Sequence, residues 1–189
     1  MLWWPKRGDA VEDREEDTAQ GTVKWALADR SVGGVECDGP TVPIARQVSG
    51  EVRAFTIQRL GDALDAMEIR YIRDPDGAMF AMWERHAVLF AVEGPADEIL
   101  VIRTRPHATV PGDWAQRAYT VVNEWNHMRR FCKAYDGDPT VAGRLPIYAE
   151  VQVPLISGVH DELLVELLDC AVSVSECFVE WLYDEGALF

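Results

Sequence analysis

The sequence predicts an α+β fold, a twisted antiparallel β-sheet carrying helices in the order α-β-β-β-α-β-β-α. Three observations point there. Apolar residues recur at helical spacing after Thr56, after Pro111 and again near the carboxyl end. Between the first two helices, three apolar runs are separated by short polar turns, as in a meander of adjacent antiparallel strands. Between the last two helices, Leu145, Ile147, Ala149, Val151 and Val153 alternate with Pro146, Tyr148, Glu150, Gln152 and Pro154, the period of a half-buried strand near a sheet edge.

The first helix is expected to start at Thr56, whose hydroxyl can cap free backbone N–H groups, and to bury Ile57, Leu60, Leu64 and Met67. It ends before the β-rich Ile69–Arg73, and Asp74-Pro75-Asp76-Gly77 is a strong turn signal. The meander comes next as Ala78–Trp83, Ala87–Val92 and Ile99–Ile102, with Glu93–Asp97 as its second turn. Its middle strand is apolar on both faces. A sheet with helices on one side only should show polar residues at alternate positions, so this strand asks for a second cover.

After Pro111, Trp114, Ala118, Val121, Val122 and Trp125 form one stripe of a surface helix, and both tryptophans are expected in the core. Phe131–Tyr135 is the expected hairpin partner of the alternating strand. The last helix, Val159–Tyr183, gathers its acids within about 140° of arc and is apolar over most of the rest. Such a helix belongs between the sheet and another helix, or at a subunit contact. His160-Asp161-Glu162 opens it, where acids meet the positive end of the helix dipole.

Residues 1–53 have another texture. Asp9–Asp17 is mostly charged, and Gly33-Gly34, Gly39-Pro40 and Pro43 break up the stretch beyond it, so a partly disordered extension is expected before a domain at 54–189. Trp3, Trp4 and Trp25 would tack it onto the domain or onto a neighbour.

Composition narrows function by exclusion. Eighteen Lys and Arg against 32 Asp and Glu give a formal charge of -14, which repels a nucleic-acid backbone overall. No run approaches the ~20 apolar residues of a membrane span, and Met-Leu-Trp-Trp-Pro-Lys-Arg lacks the order of a secretory signal. Cys37, Cys132, Cys170 and Cys177 form no CxxC, and Cys170 and Cys177 on one helix would be separated by ~10 Å of rise, beyond the ~7 Å Cα limit for a disulfide. Reduced thiols in a cytoplasmic protein are expected.

No residue pattern announces a reaction. His86, His107, His127 and His160 form no ligand pair of the HExxH kind, and no GxSxG, P-loop or dinucleotide fingerprint is present, so no catalytic residue, metal or cofactor is expected. Glu84-Arg85-His86 reads as a polar tight turn between two apolar strands, in preference to an acid, a cation and a base. The best site candidate is Arg103, Arg105 and His107, two guanidiniums on one strand face with an imidazole beyond, able to hold a carboxylate or phosphate; the plainer alternative is ion pairing with the chain's own acids. Trp83 is the aromatic residue with a claim to line a binding surface.

The chain resembles the YbjN family of bacterial sensory transduction regulators, specifically its actinobacterial branch. The residues carrying the resemblance are Arg59–Asp65, Ala81–Phe90, Arg103–Pro111, Val122–Asn126 and Gly158–Asp161; it does not extend into 1–53. The resemblance implies a fold similar to type III secretion chaperones, an acidic homodimer, and binding of a protein or peptide segment without turnover. The leading expectation is therefore a cytoplasmic, non-catalytic, chaperone-like or regulatory homodimer binding a protein segment through apolar sheet surface. The alternative is a sensor of small anionic ligands using Arg103, Arg105 and His107.

Overall fold

The computed structural model describes residues 50–189. The extension expected at 1–53, with Trp3, Trp4, Trp25 and Cys37, lies almost wholly outside the described residues. Twelve segments succeed one another: α1 (Ile57–Ala66), β1 (Tyr71–Arg73), β2 (Met79–Met82), β3 (His86–Glu93), β4 (Ile99–Pro106), β5 (Val110–Pro111), a 3-10 turn (Gly112–Trp114), α2 (Ala115–Met128), β6 (Lys133–Asp136), β7 (Arg144–Leu145), β8 (Ile147–Pro154) and α3 (Asp161–Tyr183). Six strands form one antiparallel sheet in the order β1-β2-β3-β4-β8-β6, and β5 pairs with β7 in a small ribbon. The expected class holds, with one strand more than expected in the main sheet and the β5–β7 ribbon besides. β1 is that addition, an edge strand built from the β-rich segment after α1.

Local chemistry accounts for the elements. Thr56 Oγ1 accepts from the Arg59 amide at 3.2 Å and starts α1. Asp74 turns β1 into β2, its carboxylate accepting from Ala78 N at 2.8 Å while Gly77 supplies a φ of 92°. Trp83 N donates to His86 O at 2.8 Å and closes the β2–β3 hairpin over Glu84 and Arg85. The tight turn is therefore Glu84-Arg85 alone; His86 begins β3 and is buried. Phe131–Tyr135 does supply the hairpin partner of β8, which pairs with β6 from Lys133↔Glu150 to Asp136↔Ile147.

All three helices pack on one face of the sheet. Leu60, Ala63 and Leu64 of α1 and Leu164, Leu168 and Ala171 of α3 cluster with Met79, Ala81, Val88, Phe90, Leu100 and Ile102. Ala118, Val121, Val122 and Trp125 of α2 cluster with Ala134, Ile147 and Ala149 of the sheet and with Phe178, Val179, Trp181 and Leu182 of α3. α3 is thus enclosed by sheet, α1 and α2 within one chain. Most of its broad apolar arc is buried there, the first of the two placements expected for it, while Leu163 stays 42% exposed.

Trp114 departs from expectation. It is 45% exposed, because the stripe of α2 begins only at Ala118 and Trp114 lies in the 3-10 turn before the helix, with the Arg117 guanidinium 5.8 Å from its ring centre. Trp125 is in the core as expected, packed edge-on to Phe178 at 5.0 Å.

The opposite sheet face carries Ile72, Phe80 and Met82, then Leu89, Ala91, Val101, Arg103, Arg105, Tyr148, Glu150 and Gln152, as the strand register dictates. Its apolar members belong to neither helix-bearing cluster. Among the described residues no helix packs there, yet Phe80, Leu89, Ala91 and Val101 are buried, so β3 is both apolar and covered on its two faces.

Candidate functional site

The strand period divides the candidate residues between the two faces. Trp83 and His86 flank the β2–β3 turn on the helix-bearing face, their rings stacked with centroids 5.2 Å apart and planes 3° from parallel. His107 joins them from beyond β4: its amide donates to Arg85 O at 2.8 Å and its Nε2 lies 3.0 Å from Trp83 O. The Trp83 side chain packs against the α1–α3 core. The His86 side chain is buried with no hydrogen-bond partner at Nε2 among the described residues. Burial, and then the neighbouring His107, push its pKa down to about 4.

Arg103 and Arg105 lie on the other face. Arg103 is directly opposite Glu150 in the β4–β8 register, and its Nε donates to Glu150 Oε2 at 2.5 Å. Glu93 lies 3.7 Å from its Nη2. Glu150 also accepts from the Tyr135 hydroxyl at 2.8 Å and, at its other oxygen, from Gln152 Nε2 at 2.5 Å. The Arg103 and Glu150 side chains are 7% and 5% exposed. Burial alone would push the Glu150 carboxyl up, but the hydrogen bonds from Arg103 and Tyr135 outweigh it and hold the carboxyl below its ordinary range. Burial would likewise lower Arg103, and the Glu150 hydrogen bond leads the opposing influences that leave it raised. Arg105 is lowered by burial, with Tyr148 partly opposing, and the Tyr148 phenol is raised by its own burial against the pull of Arg105 and Arg103.

The structure therefore brings Trp83 to His107 and places Arg103 beside Arg105, on opposite sides of the sheet. It also assembles a polar cluster, Arg103-Glu150-Tyr135-Gln152, across three strands. Its signal was the polar phase of β8, Tyr148, Glu150 and Gln152, which the alternation alone assigns to solvent. Only the pairing of Glu150 with Arg103 and the strand order mark it as buried. A second polar contact through the sheet, Thr104 Oγ1 to Ser175 Oγ at 2.5 Å, ties β4 to α3. Among the described residues no group of three or more His, Cys, Asp or Glu is placed to hold a metal, and no helix is long and apolar enough to cross a membrane.

A six-stranded antiparallel sheet with three helices on one face and a buried ion pair on the other makes this a small α+β domain of one mixed layer pair. Residues 56–184 match the family described as "YbjN: Putative bacterial sensory transduction regulator", and the chain belongs to that family. Among solved structures it is similar to the crystal structure of YbjN, a putative transcription regulator from E. coli, with a TM-score of 0.60 over 71% of this chain and 97% of that one at 11% identity. At that identity the likeness is one of fold. No curated protein matches.

Proposed function

We propose that this protein is a non-catalytic, chaperone-like or regulatory binding module of the cytoplasm, acting as a homodimer that takes up a protein or peptide segment on the second face of its sheet. The observation that carries the proposal is the composition of that face. Phe80, Leu89, Ala91 and Val101 run across its centre and are buried, at 7%, 5%, 9% and 0% exposure, although the helices are committed to the other side, while Ile72 and Met82 at its edge are 64% and 65% exposed. The acidic chain and the absence of a reaction pattern in its sequence agree with binding without turnover. Engagement of Arg103 by Glu150 and Glu93 weighs against the anionic-ligand sensor, which needs that guanidinium for its ligand.

The test is in-cell cross-linking with the full chain, comparing wild type with Met82→Glu. Cross-links from a protein partner should map to β2, β3 and β4 and be lost in the variant while its melting temperature is kept. Cross-links confined to the helices, or unchanged by Met82→Glu, would sink the proposal.

A further inference from the structure

The loop after α2 concentrates cations that meet no carboxylate among the described residues. Arg129 and Arg130 are exposed, and no ion pair among the described residues uses either. Two large apolar side chains stand among them, Met128 at 54% and Phe131 at 43% exposed. The Arg129 guanidinium lies over the Trp125 ring at 5.6 Å, which fixes the base of the loop to the α2–α3 core. A cationic and apolar surface of this kind, in a chain of charge -14, fits an acidic partner.

The end of α3 is the opposite case. Glu180, Asp184 and Glu185 occupy or succeed its last turn, which has no basic residue of its own, and the Arg85 guanidinium lies over the Tyr183 ring at 4.9 Å without an ion pair to these acids among the described residues. Carboxylates at the negative end of a helix dipole are unfavourable. Arg117 reaches this end but donates to the Gly186 and Ala187 carbonyls, at 3.2 and 3.3 Å, and leaves the carboxylates without an ion pair among the described residues. The two patches lie at opposite ends of α2, Arg117 near its start reaching the end of α3 and Arg129 following its last residue, with one ring cluster between them. Trp125, under Arg129, is 5.4 Å from Trp181, whose Nε1 donates to Glu185 Oε2 at 2.9 Å.

We infer that this side of α2 and α3 is the homodimer interface: the Arg129–Phe131 loop of one copy meets the α3 carboxylates of the other, and the reciprocal contact forms about a two-fold axis. An isologous interface requires one surface that complements itself, and patches of opposite sign at the two ends of α2, without ion pairs among the described residues and with Met128 and Phe131 as apolar filling, meet that requirement. The inference rests on the homodimer of the proposed function and locates it away from the sheet face, leaving that face for the bound segment. Salt is a poor diagnostic, since it screens both the local attraction and the repulsion between two chains of like net charge.

Charge exchange tests it with the full chain. Arg130→Glu and Glu180→Arg change exposed positions, so melting temperatures should stay within a few degrees of wild type. By sedimentation velocity each single variant should show a dissociation constant raised ~10–100-fold. Mixing the two variants should restore wild-type affinity as a heterodimer, because both reciprocal contacts then pair opposite charges, and carrying both substitutions on one chain should restore the homodimer. Single variants that dimerise like wild type, or a mixture that stays monomeric, would overturn the interface. A monomeric wild-type protein would overturn the homodimer as well, while segment binding at the sheet face, read by the Met82→Glu cross-linking, would stand or fall separately.

Discussion

His86 makes the stability of this protein depend on pH in a direction opposite to a partnered histidine. The folded chain holds the imidazole neutral until about pH 4, while an unfolded histidine takes up its proton near the ordinary 6.5. Between those values the unfolded state binds the extra proton, so stability contributed by the neutral, buried ring is whole above about 6.5, falls as pH falls from there, and is exhausted near about 4. At ~1.4 kcal/mol for each tenfold in proton affinity, the full span is worth about 3 kcal/mol. His86→Phe keeps a planar ring against Trp83 and removes the titration. Urea unfolding of both proteins at steps from about pH 7.5 to about pH 4.5 should give a variant-minus-wild-type difference that grows by ~2–3 kcal/mol toward acid, with equal m-values. Because burial is the larger cause and His107 the smaller, His107→Asn should keep most of this slope. Parallel curves for wild type and His86→Phe would refute the reasoning, as would a difference that shrinks toward acid.

Glu150→Gln should cost ~3 kcal/mol in urea unfolding, at the lower end for a broken buried pair because Glu93 remains beside Arg103; since the Glu150 carboxyl is held low, its share of stability is present above the ordinary carboxylate range and lost as pH falls below it, so the cost should shrink in strong acid. Ser175→Ala should be more damaging than Thr104→Val, by ~1 kcal/mol, because Ser175 keeps its 2.7 Å donation to Ala171 O when Thr104 goes, whereas Thr104 loses its acceptor when Ser175 goes; equal melting temperatures for the two variants would contradict this. Gly158→Ala should destabilise by ~1–3 kcal/mol in the same assay, since Gly158 has φ of 84° and a Cβ there would lie 2.7 Å from Arg53 O, breaking the Arg53–Val159 bridge ahead of α3.

Periodicity made most of the fold legible. The Thr56 cap, the Asp74–Gly77 turn, the meander and the β6–β8 hairpin are local signals, each decided within a few residues, and each lies where the sequence places it. The features that periodicity did not reveal depend on partners far along the chain. Glu150 reads as a solvent-facing residue of an alternating strand until the order β4-β8-β6 puts Arg103 on one side of it and the Tyr135 hydroxyl within reach. His86 reads as a turn residue until the hairpin register moves it one position inward, behind Trp83. Trp114 fails for the converse reason, since its place on a helical stripe has no meaning before the helix begins.

The same contrast separates the two apolar excesses that first suggested a partner. A helix has neighbours on every side, so a wide apolar arc is satisfied once the chain supplies enough of them, and α1, α2 and the sheet do so for most of that of α3. A sheet has only two faces, and the three helices occupy one. Leu89, Ala91 and Val101 alternate strictly with Val88, Phe90 and Leu100 across β3 and β4, so no rotation or shift of register can bring both sets under the same helices. The case for a bound segment therefore rests on the sheet alone. The case for a second copy of the chain rests on the charges around Trp125 and Trp181, and the two can be tested without reference to each other.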